Sequence, residues 1–240
     1  MKIITIIPAY NEEKTIYKVA KNTLKYSEVI VIDDGSTDQT SIKAKDSGAL
    51  VVRHETNLGK GAAIKTGLKK ALENKYKIFV IMDGDGQHDP EHIPFLISEM
   101  ENADFIIGSR FKEKIPKNMP LQRKFSNKLT TKIIKYITGY NLTDSQSGFR
   151  CISNTAAQIF TDIPYDDYVY ESEVLYRASK ERIKIHEIQI SCNYEDEKSY
   201  ITWKNVLRYI IFVFKLLIQN SQRKYYFSFK DSIKQKSKED

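Results

Sequence analysis

Two aspartates stand two residues apart directly after a short apolar run, as Asp83-Gly84-Asp85-Gly86. The glycines permit a turn and the close approach of a ligand, so both carboxylates can face one cleft. Clustered carboxylates repel one another unless a cation compensates their charge. Hard divalent cations such as Mg²⁺ or Mn²⁺ take oxygen ligands and bridge phosphates. The pair therefore indicates a site for a divalent cation and a phosphate-bearing ligand, to which Gln87 and His88 could add ligands.

Two earlier apolar runs also end in dense polar motifs. The first ends in Pro8-Ala9-Tyr10-Asn11-Glu12, and the second in Asp33-Asp34-Gly35-Ser36-Thr37-Asp38. In open parallel sheets, ligands bind beyond the carboxyl ends of the strands. Three such ends along one edge of a sheet predict a pocket lined with carboxylates.

The sequence motifs of several other kinds of binding or catalytic site do not match the spacing of these residues. An EF-hand loop starting at Asp83 needs glycine and glutamate at its sixth and twelfth positions, where His88 and Pro94 stand. A G-x-x-x-x-G-K-[ST] phosphate loop is absent, and a dinucleotide fingerprint starting at Gly59 needs a small residue where Ile64 stands. The four histidines have no zinc spacing, and no Ser-His-Asp arrangement can be argued.

The elements that position these motifs alternate along the first half of the chain. Short, nearly continuous apolar runs predict parallel strands that are covered on both faces. These strands are expected at residues 3–7, 29–32, 50–52, 78–82 and 105–107, and helices at residues 12–26, 39–47, 60–73 and 91–100. Asp38 is expected to cap the second helix. Strict alternation predicts an α/β fold with a mostly parallel central sheet flanked by helices.

The second half is predicted to begin with a basic helix near Leu121. Its apolar positions recur every four residues at Leu121, Phe125, Leu129, Ile133 and Ile137, and basic residues occupy the other faces. This basic amphipathic pattern suits an anionic membrane surface. Helices are also predicted at 155–160 and 170–182, a strand at 183–190, and a C-terminal amphipathic helix at about 202–219.

Length and charge indicate one large domain with a basic tail. The chain has 240 residues and a formal net charge of +7, and residues 201–240 contain nine Lys or Arg against three Asp or Glu. We therefore predict a catalytic domain over 1–200 and a basic helix and tail over 201–240, which could anchor the chain to an anionic surface, either lipid or nucleic acid. Two cysteines, Cys151 and Cys192, suit a reducing compartment. No stretch of about 20 apolar residues exists to span a bilayer, and residues 3–7 are too short for the core of a signal peptide.

Six segments together resemble family 2 glycosyltransferases, and within them the dolichyl-phosphate mannosyltransferase group, which loads a sugar onto a polyprenyl phosphate. The segments read IPAYNE, VIDDGSTDQT, NLGKGAAIKTG, DGDGQHDP, GSRF and SGFR, and the likeness covers about residues 1–182. The resemblance implies a GT-A fold, a nucleotide-sugar donor, Mg²⁺ or Mn²⁺, and inversion at the anomeric carbon. It also implies a polyprenyl phosphate acceptor, no nucleic acid partner, and a peripheral place on the cytoplasmic face of a membrane.

The resemblance also implies roles for individual residues. Asp85 and Gln87 would bind the metal and the diphosphate, and Arg110 and Arg123 would meet the acceptor phosphate, so that Asp85 and Arg110 carry the catalysis. Ser147, Arg150 and Glu173 match the acceptor-side segment. The donor nucleotide would be bound by Pro8, Ala9, Tyr10, Glu12, Asp34, Lys60, Gly61, Asp83 and Gly84.

The expected acceptor explains why no catalytic histidine is needed. A phosphate monoester has a second pKa of about 6, so it is largely anionic at neutral pH and needs cations rather than a general base. The donor is left open among GDP-mannose, UDP-glucose and a UDP-N-acetylhexosamine. This is because Tyr194 and Tyr200 stand where mannosyltransferase relatives commonly carry Arg and Lys. Two alternatives also remain: transfer to a sugar hydroxyl in glycan synthesis, and a non-catalytic nucleotide- or nucleic-acid-binding module.

Overall fold

A computed structural model describes residues 2–113, 119–193 and 208–218. Seven strands form one sheet in the order β3-β2-β1-β4-β6-β5-β7. The strands are β1 (Ile3–Ala9), β2 (Glu28–Asp33), β3 (Leu50–Arg53), β4 (Ile78–Ile81), β5 (Phe105–Ser109), β6 (Arg150–Ser153) and β7 (Ile185–Gln189). All pairs are parallel except those made by β6, which runs antiparallel to both β4 and β5. The predicted mostly parallel sheet is confirmed.

The strand that the sequence did not predict is β6. It has four residues, begins with Arg150 and ends with Ser153, so it offers too short an apolar run to be recognised. It nevertheless lies between β4 and β5, where Cys151 and Ile152 are fully buried. Consequently the Ser147–Arg150 segment enters the sheet next to the strand that precedes Asp83.

Within the described residues 2–113 and 119–193, seven helices flank the sheet. The predicted helices are confirmed, most of them with shorter bounds. They are α1 (Ile16–Thr23), α2 (Thr40–Asp46), α3 (Lys60–Glu73), α4 (Ile93–Ser98), α5 (Leu121–Thr138), α6 (Asn154–Phe160) and α7 (Tyr170–Lys180). The helix predicted at 91–100 is α4 between two 3₁₀ turns, Pro90–His92 and Glu99–Glu101. Asp38 accepts a hydrogen bond from the Thr40 backbone N–H at the start of α2, but the N-cap position is held by Gln39, one residue later than expected.

Two apolar cores cover the two faces of the sheet. One contains Ile64 and Leu68 of α3 together with residues of α5, α6 and α7. The other contains Ile16 and Val19 of α1 together with residues of α2 and α4. Because both faces are covered, the carboxyl-end edge of the parallel strands is the part of the sheet left for a ligand.

Helix α5 packs with a face that the apolar pattern did not indicate. Its buried side includes two polar residues, Asn127 and Thr131, besides Ile134 and Ile137. The apolar row at Leu121, Phe125 and Leu129 points outward, with 81%, 72% and 51% of each residue exposed. The inner polar pair bonds to the loop before β6, since Asn127 donates to Asp144 and Thr131 bonds Ser145.

The chain divides into two compact units, residues 1–197 and 198–240. In the second unit the described residues 208–218 are helical. Ile211, Phe214 and Ile218 of this helix are exposed, whereas Phe212 and Leu216 are buried. The remainder of the helix predicted at 202–219, and the Tyr194 and Tyr200 positions, lie outside the described residues. Within the described ranges, no helix has both the length and the hydropathy needed to cross a membrane.

Candidate active site

The loops after β1 and β2 are bonded into one wall of the site. Asn11 adopts a left-handed backbone conformation, with φ of 56°, and its backbone N–H donates to Oγ of Ser36 over 2.9 Å. Its side-chain oxygen accepts from the Thr37 backbone N–H, also over 2.9 Å. Pro8 and Ala9 belong to this edge of the sheet, because Ala9 is the last residue of β1. Tyr10 follows them with 45% of its surface exposed, as a residue that contacts a ligand requires.

Asp34 ties the end of β2 to the turn that starts α3. It is 3% exposed, and its two oxygens accept from the backbone N–H groups of Leu58 and Gly59 at 3.0 and 2.8 Å. His54 Nδ1 lies 2.7 Å from the same carboxylate. Asp34 therefore fixes the backbone that leads into Lys60. Its contact with the base or ribose of the donor stays a prediction.

Asp83 is the meeting point of several elements. Lys60 at the start of α3 places Nζ 2.7 Å from Asp83 Oδ1. Gly148 packs so closely that a Cβ there would clash with the Asp83 carboxylate, so a larger residue would have to displace this side chain. Burial alone would raise the pKa of Asp83, but the nearby cations, Lys60 foremost and Arg110 among them, hold that pKa below its usual range. The predicted donor-side residue is thus an ionised carboxylate within electrostatic reach of the predicted acceptor-side cation.

Asp85 and Gln87, the predicted metal ligands, are hydrogen-bonded to each other. The backbone N–H of Gln87 donates to Asp85 Oδ1 over 3.0 Å, and its side-chain Nε2 donates to Oδ2 over 2.6 Å. His88 follows with its ring against Phe149, at a centroid distance of 5.2 Å. His88 is 5% exposed, and its Nδ1 has no hydrogen-bond partner among the residues that the structure describes. Burial lowers the pKa of His88, so the ring is neutral.

The neighbouring carboxylates help to raise the pKa of Glu12. Its pKa is raised to about 7, first by burial and then by the negative charges of Asp85, Asp83 and Asp38. A hydrogen bond from Thr15 opposes the rise. The edge therefore carries more negative charge than its cations balance, which is the environment that a divalent cation stabilises.

The donor set fits a cation that a substrate helps to bind. Within the described ranges, no group of three or more His, Cys, Asp or Glu side chains is arranged to hold a metal. Mg²⁺ commonly needs only one or two carboxylates, because substrate phosphates and water complete its shell. Asp85, with Gln87 beside it, can supply the protein's share of such a site.

Arg110 is held by a carboxylate that the sequence analysis did not single out. Its Nε and NH2 donate to the two oxygens of Asp144 at 2.7 and 2.9 Å, and its backbone N–H also donates to this carboxylate. Asn127 of α5 donates to Asp144 over 2.8 Å. Burial alone would raise the pKa of Asp144, but Arg110 and Asn127 keep it below its usual range. Arg123 lies one helical turn before Asn127, on the same side of α5.

The Ser147–Arg150 segment is buried and largely bonded to backbone. Arg150 is 3% exposed and donates to the backbone oxygens of Ser145, Ser147 and Glu171. This arrangement connects the loop before β6 to α7, and the expected acceptor-side roles of Ser147, Arg150 and Glu173 stay predictions. Sequence reasoning also missed Glu171, which bonds Lys60, although it lies only two residues before Glu173.

The sheet edge and its carboxylate cluster, with buried cations beside it, define a glycosyltransferase of GT-A architecture. The family model for glycosyl transferase family 2 matches residues 4–160. This chain belongs to that family.

Similar proteins have both sequence and fold in common with the chain. It is 37% identical over 217 residues to a UDP-N-acetylglucosamine–dolichyl-phosphate N-acetylglucosaminyltransferase of Methanococcus voltae, covering 81% of this chain and 86% of that protein. It is 31% identical over 205 residues to an undecaprenyl-phosphate mannosyltransferase of Micrococcus luteus, covering 80% and 83%. A crystal structure of Mycobacterium tuberculosis glucosyl-3-phosphoglycerate synthase with Mn²⁺, UDP and glucosyl-3-phosphoglycerate matches with a TM-score of 0.68 at 23% identity. That match covers 91% of this chain and 79% of the synthase, and it confirms the GT-A fold.

Proposed function

We propose that the protein is a metal-dependent, inverting glycosyltransferase that moves a hexose from a nucleotide-diphosphate sugar to a polyprenyl phosphate. The observation that carries this proposal is the buried Arg110, fixed by Asp144 and within electrostatic reach of Asp83. This edge of the sheet would then combine carboxylates suited to a metal-bound diphosphate with a cation suited to a second phosphate. The names of the Methanococcus and Micrococcus relatives support the same acceptor class.

The proposed chemistry matches the residue types. The acceptor phosphate is already a nucleophilic anion, and Arg110 would draw it toward the anionic donor and align it for attack at the anomeric carbon. The bond between that carbon and the diphosphate breaks as the new bond to the acceptor oxygen forms. A divalent cation held by Asp85 and Gln87 would stabilise the negative charge of the departing nucleoside diphosphate.

The outer face of α5 supports a lipid acceptor. Leu121, Phe125 and Leu129 form an exposed apolar row, and Lys124, Lys128 and Lys132 form a parallel basic row one position before Phe125, Leu129 and Ile133. Apolar side chains beside lysines suit the interface of an anionic membrane. The inner face of the same helix holds Asp144, the partner of Arg110, so a chain bound through α5 would have its phosphate site near the lipid. We propose a peripheral place at the cytoplasmic face of a membrane, and a content of only two cysteines suits a reducing compartment.

A donor panel tests this function. The full chain is incubated with Mn²⁺ or Mg²⁺, a short polyprenyl phosphate in detergent, and GDP-mannose, UDP-glucose or UDP-N-acetylglucosamine in turn. We expect a charged glycolipid from one donor, and no product when EDTA removes the metal. No product from any donor would contradict the proposal.

The acceptor class is tested by Arg110→Ala. This variant should lose activity roughly 100-fold, since it removes a buried charged hydrogen-bond donor to the acceptor. The matched control is Lys77→Ala, an exposed cation just before β4, at the opposite end of the strand from Asp83. Efficient transfer to a sugar hydroxyl, insensitive to Arg110→Ala, would favour the glycan-synthesis alternative.

A further inference from the structure

The first turns of α3 and α7 pack unusually closely. Gly59 has φ of 103°, and a Cβ on it would lie 2.4 Å from the backbone oxygen of Asp166. A Cβ on Gly61 would lie 2.7 Å from Cβ of Tyr170, the first residue of α7. The backbone N–H of Ala62 donates to the Asp166 oxygen over 3.0 Å. The two glycines that flank Lys60 thus allow α7 to begin directly beside it.

This packing brings a second carboxylate to Lys60. Its Nζ lies 2.7 Å from Asp83 Oδ1 and 2.8 Å from Glu171 Oε1. The Glu171 side chain is 11% exposed, whereas those of Lys60 and Asp83 are 30% and 23% exposed. Glu171 is therefore the more buried of the two carboxylates, and Lys60 and Asp83 keep surface open to solvent.

Two carboxylates fix the Lys60 ammonium more firmly than one could. Both contacts are ion pairs, with Nζ within 2.8 Å of each carboxylate oxygen, so together they set where the ammonium lies. With only Asp83 as partner, the ammonium could rotate about that single contact. Burial opposes the charge on Lys60, but the two carboxylates more than offset it and raise the pKa of Lys60, so the group stays charged.

We infer that Glu171 is a positioning residue: by holding Lys60 against Asp83, it keeps the Lys60 ammonium at the donor edge, where its charge binds the diphosphate or ribose of the donor. This inference rests on the proposed function, because it takes the Asp83 edge as the donor site. It assigns a role to a residue that was not among the expected site residues. The role acts through Lys60 alone, so Glu171 itself makes no contact with the substrate.

Glu171→Gln removes a negative charge and also releases Lys60, and these two changes have opposite effects on nucleotide binding. Removing a negative charge near an anionic ligand would by itself tighten nucleotide binding. Losing the fixed position of Lys60 weakens binding, and the loss of a charged hydrogen bond corresponds to about a 10-fold change. We expect the dissociation constants of UDP or GDP with Mn²⁺ to rise about 10-fold in Glu171→Gln. A purely structural role would lower the melting temperature and the active fraction, and would leave the dissociation constant unchanged.

Isothermal titration calorimetry with UDP and GDP in Mn²⁺ tests the inference on the full chain. The variants are Glu171→Gln, Lys60→Met and their combination, with Glu181→Gln as the control at the exposed end of α7. Glu171→Gln should weaken binding in the wild-type background and cause no further loss in the Lys60→Met background. Unchanged or tighter binding by Glu171→Gln, or an equal loss in both backgrounds, would overturn the inference.

The same titration separates failure of the inference from failure of the proposed function. If the wild-type chain binds neither nucleotide, both are contradicted. If it binds one of them but transfers no sugar to a polyprenyl phosphate, only the proposed acceptor is wrong, and the Glu171 comparison still decides the inference.

Discussion

Asp83 is paired with Lys60 and also feels the charge of Arg110, and each of these cations has a second carboxylate as partner. Lys60 is paired with Glu171, and Arg110 is held by Asp144. Buried charges persist only when they are paired, so each member of this series depends on its neighbours. Single substitutions at these residues should therefore change both the stability of the protein and its activity.

Asp144→Asn removes the buried partner of Arg110 while keeping its shape. We expect the free energy of unfolding to fall by about 3 kcal/mol, because a buried cation loses its carboxylate. Urea denaturation measures this, with the exposed Asp162→Asn as the control. A loss below about 1 kcal/mol, the range of exposed pairs, would show that Asp144 contributes little to holding Arg110.

Glu12→Gln should change how stability depends on pH. Burial and the neighbouring carboxylates raise the folded-state pKa of Glu12 from its ordinary value of 4.5 to about 7, so ionising Glu12 costs the wild-type fold stability as the pH rises through this window. The variant does not titrate there. The melting temperature of the variant, measured in EDTA, should therefore rise relative to the wild-type value as the pH goes from 5 to 8. A difference that stays constant or shrinks over this range would contradict the raised pKa.

At the scale of elements, α5 connects the loop that holds Arg110 to an exposed apolar surface. Its inner polar residues fix the loop that carries Asp144, and its outer row of Leu121, Phe125 and Leu129 contacts solvent. Under the proposed function, one helix would support the phosphate site on one face and meet the lipid on the other, which would explain why it buries Asn127 and Thr131 while exposing a phenylalanine.

Phe125→Glu should weaken membrane binding without unfolding the chain. Burying a phenylalanine in an apolar environment contributes about 1.5–3 kcal/mol, so we expect at least a 10-fold loss of binding to anionic vesicles. Co-sedimentation with phosphatidylglycerol vesicles measures this, and Gln122→Glu is the control, since Gln122 is exposed on the same helix. Equal sedimentation of Phe125→Glu and wild type would exclude the outer face of α5 as the lipid contact.

The limits of sequence reasoning also appear at this scale. Strands such as β1 and β2 were predictable because parallel strands covered on both faces are continuously apolar. The strand β6 was not, since its four residues begin with Arg150 and become a strand only between β4 and β5. In α5 the period predicted the helix but not its inward face, because hydrogen bonds to Asp144 and Ser145 decided the packing.

At the scale of the whole molecule, the sequence predicted which loops meet at the sheet edge. It did not predict which carboxylates pair with Lys60 and Arg110 there. Motifs after β1, β2 and β4 were expected to meet because parallel strands end at one edge. Glu171 and Asp144 reach the site from distant parts of the chain, through the contact of α7 with α3 and of α5 with the loop before β6. Neither residue stands in a pattern that period or spacing could have marked as a partner of Lys60 or Arg110.

The central claim is that Asp85 holds the cation on which sugar transfer to a lipid phosphate depends. The most direct measurement is the rate of glycolipid formation by Asp85→Ala, with saturating Mn²⁺, the active donor and a short polyprenyl phosphate, on protein whose circular dichroism matches wild type. Our account predicts that transfer falls below detection in this folded variant. Transfer at the wild-type rate would contradict it.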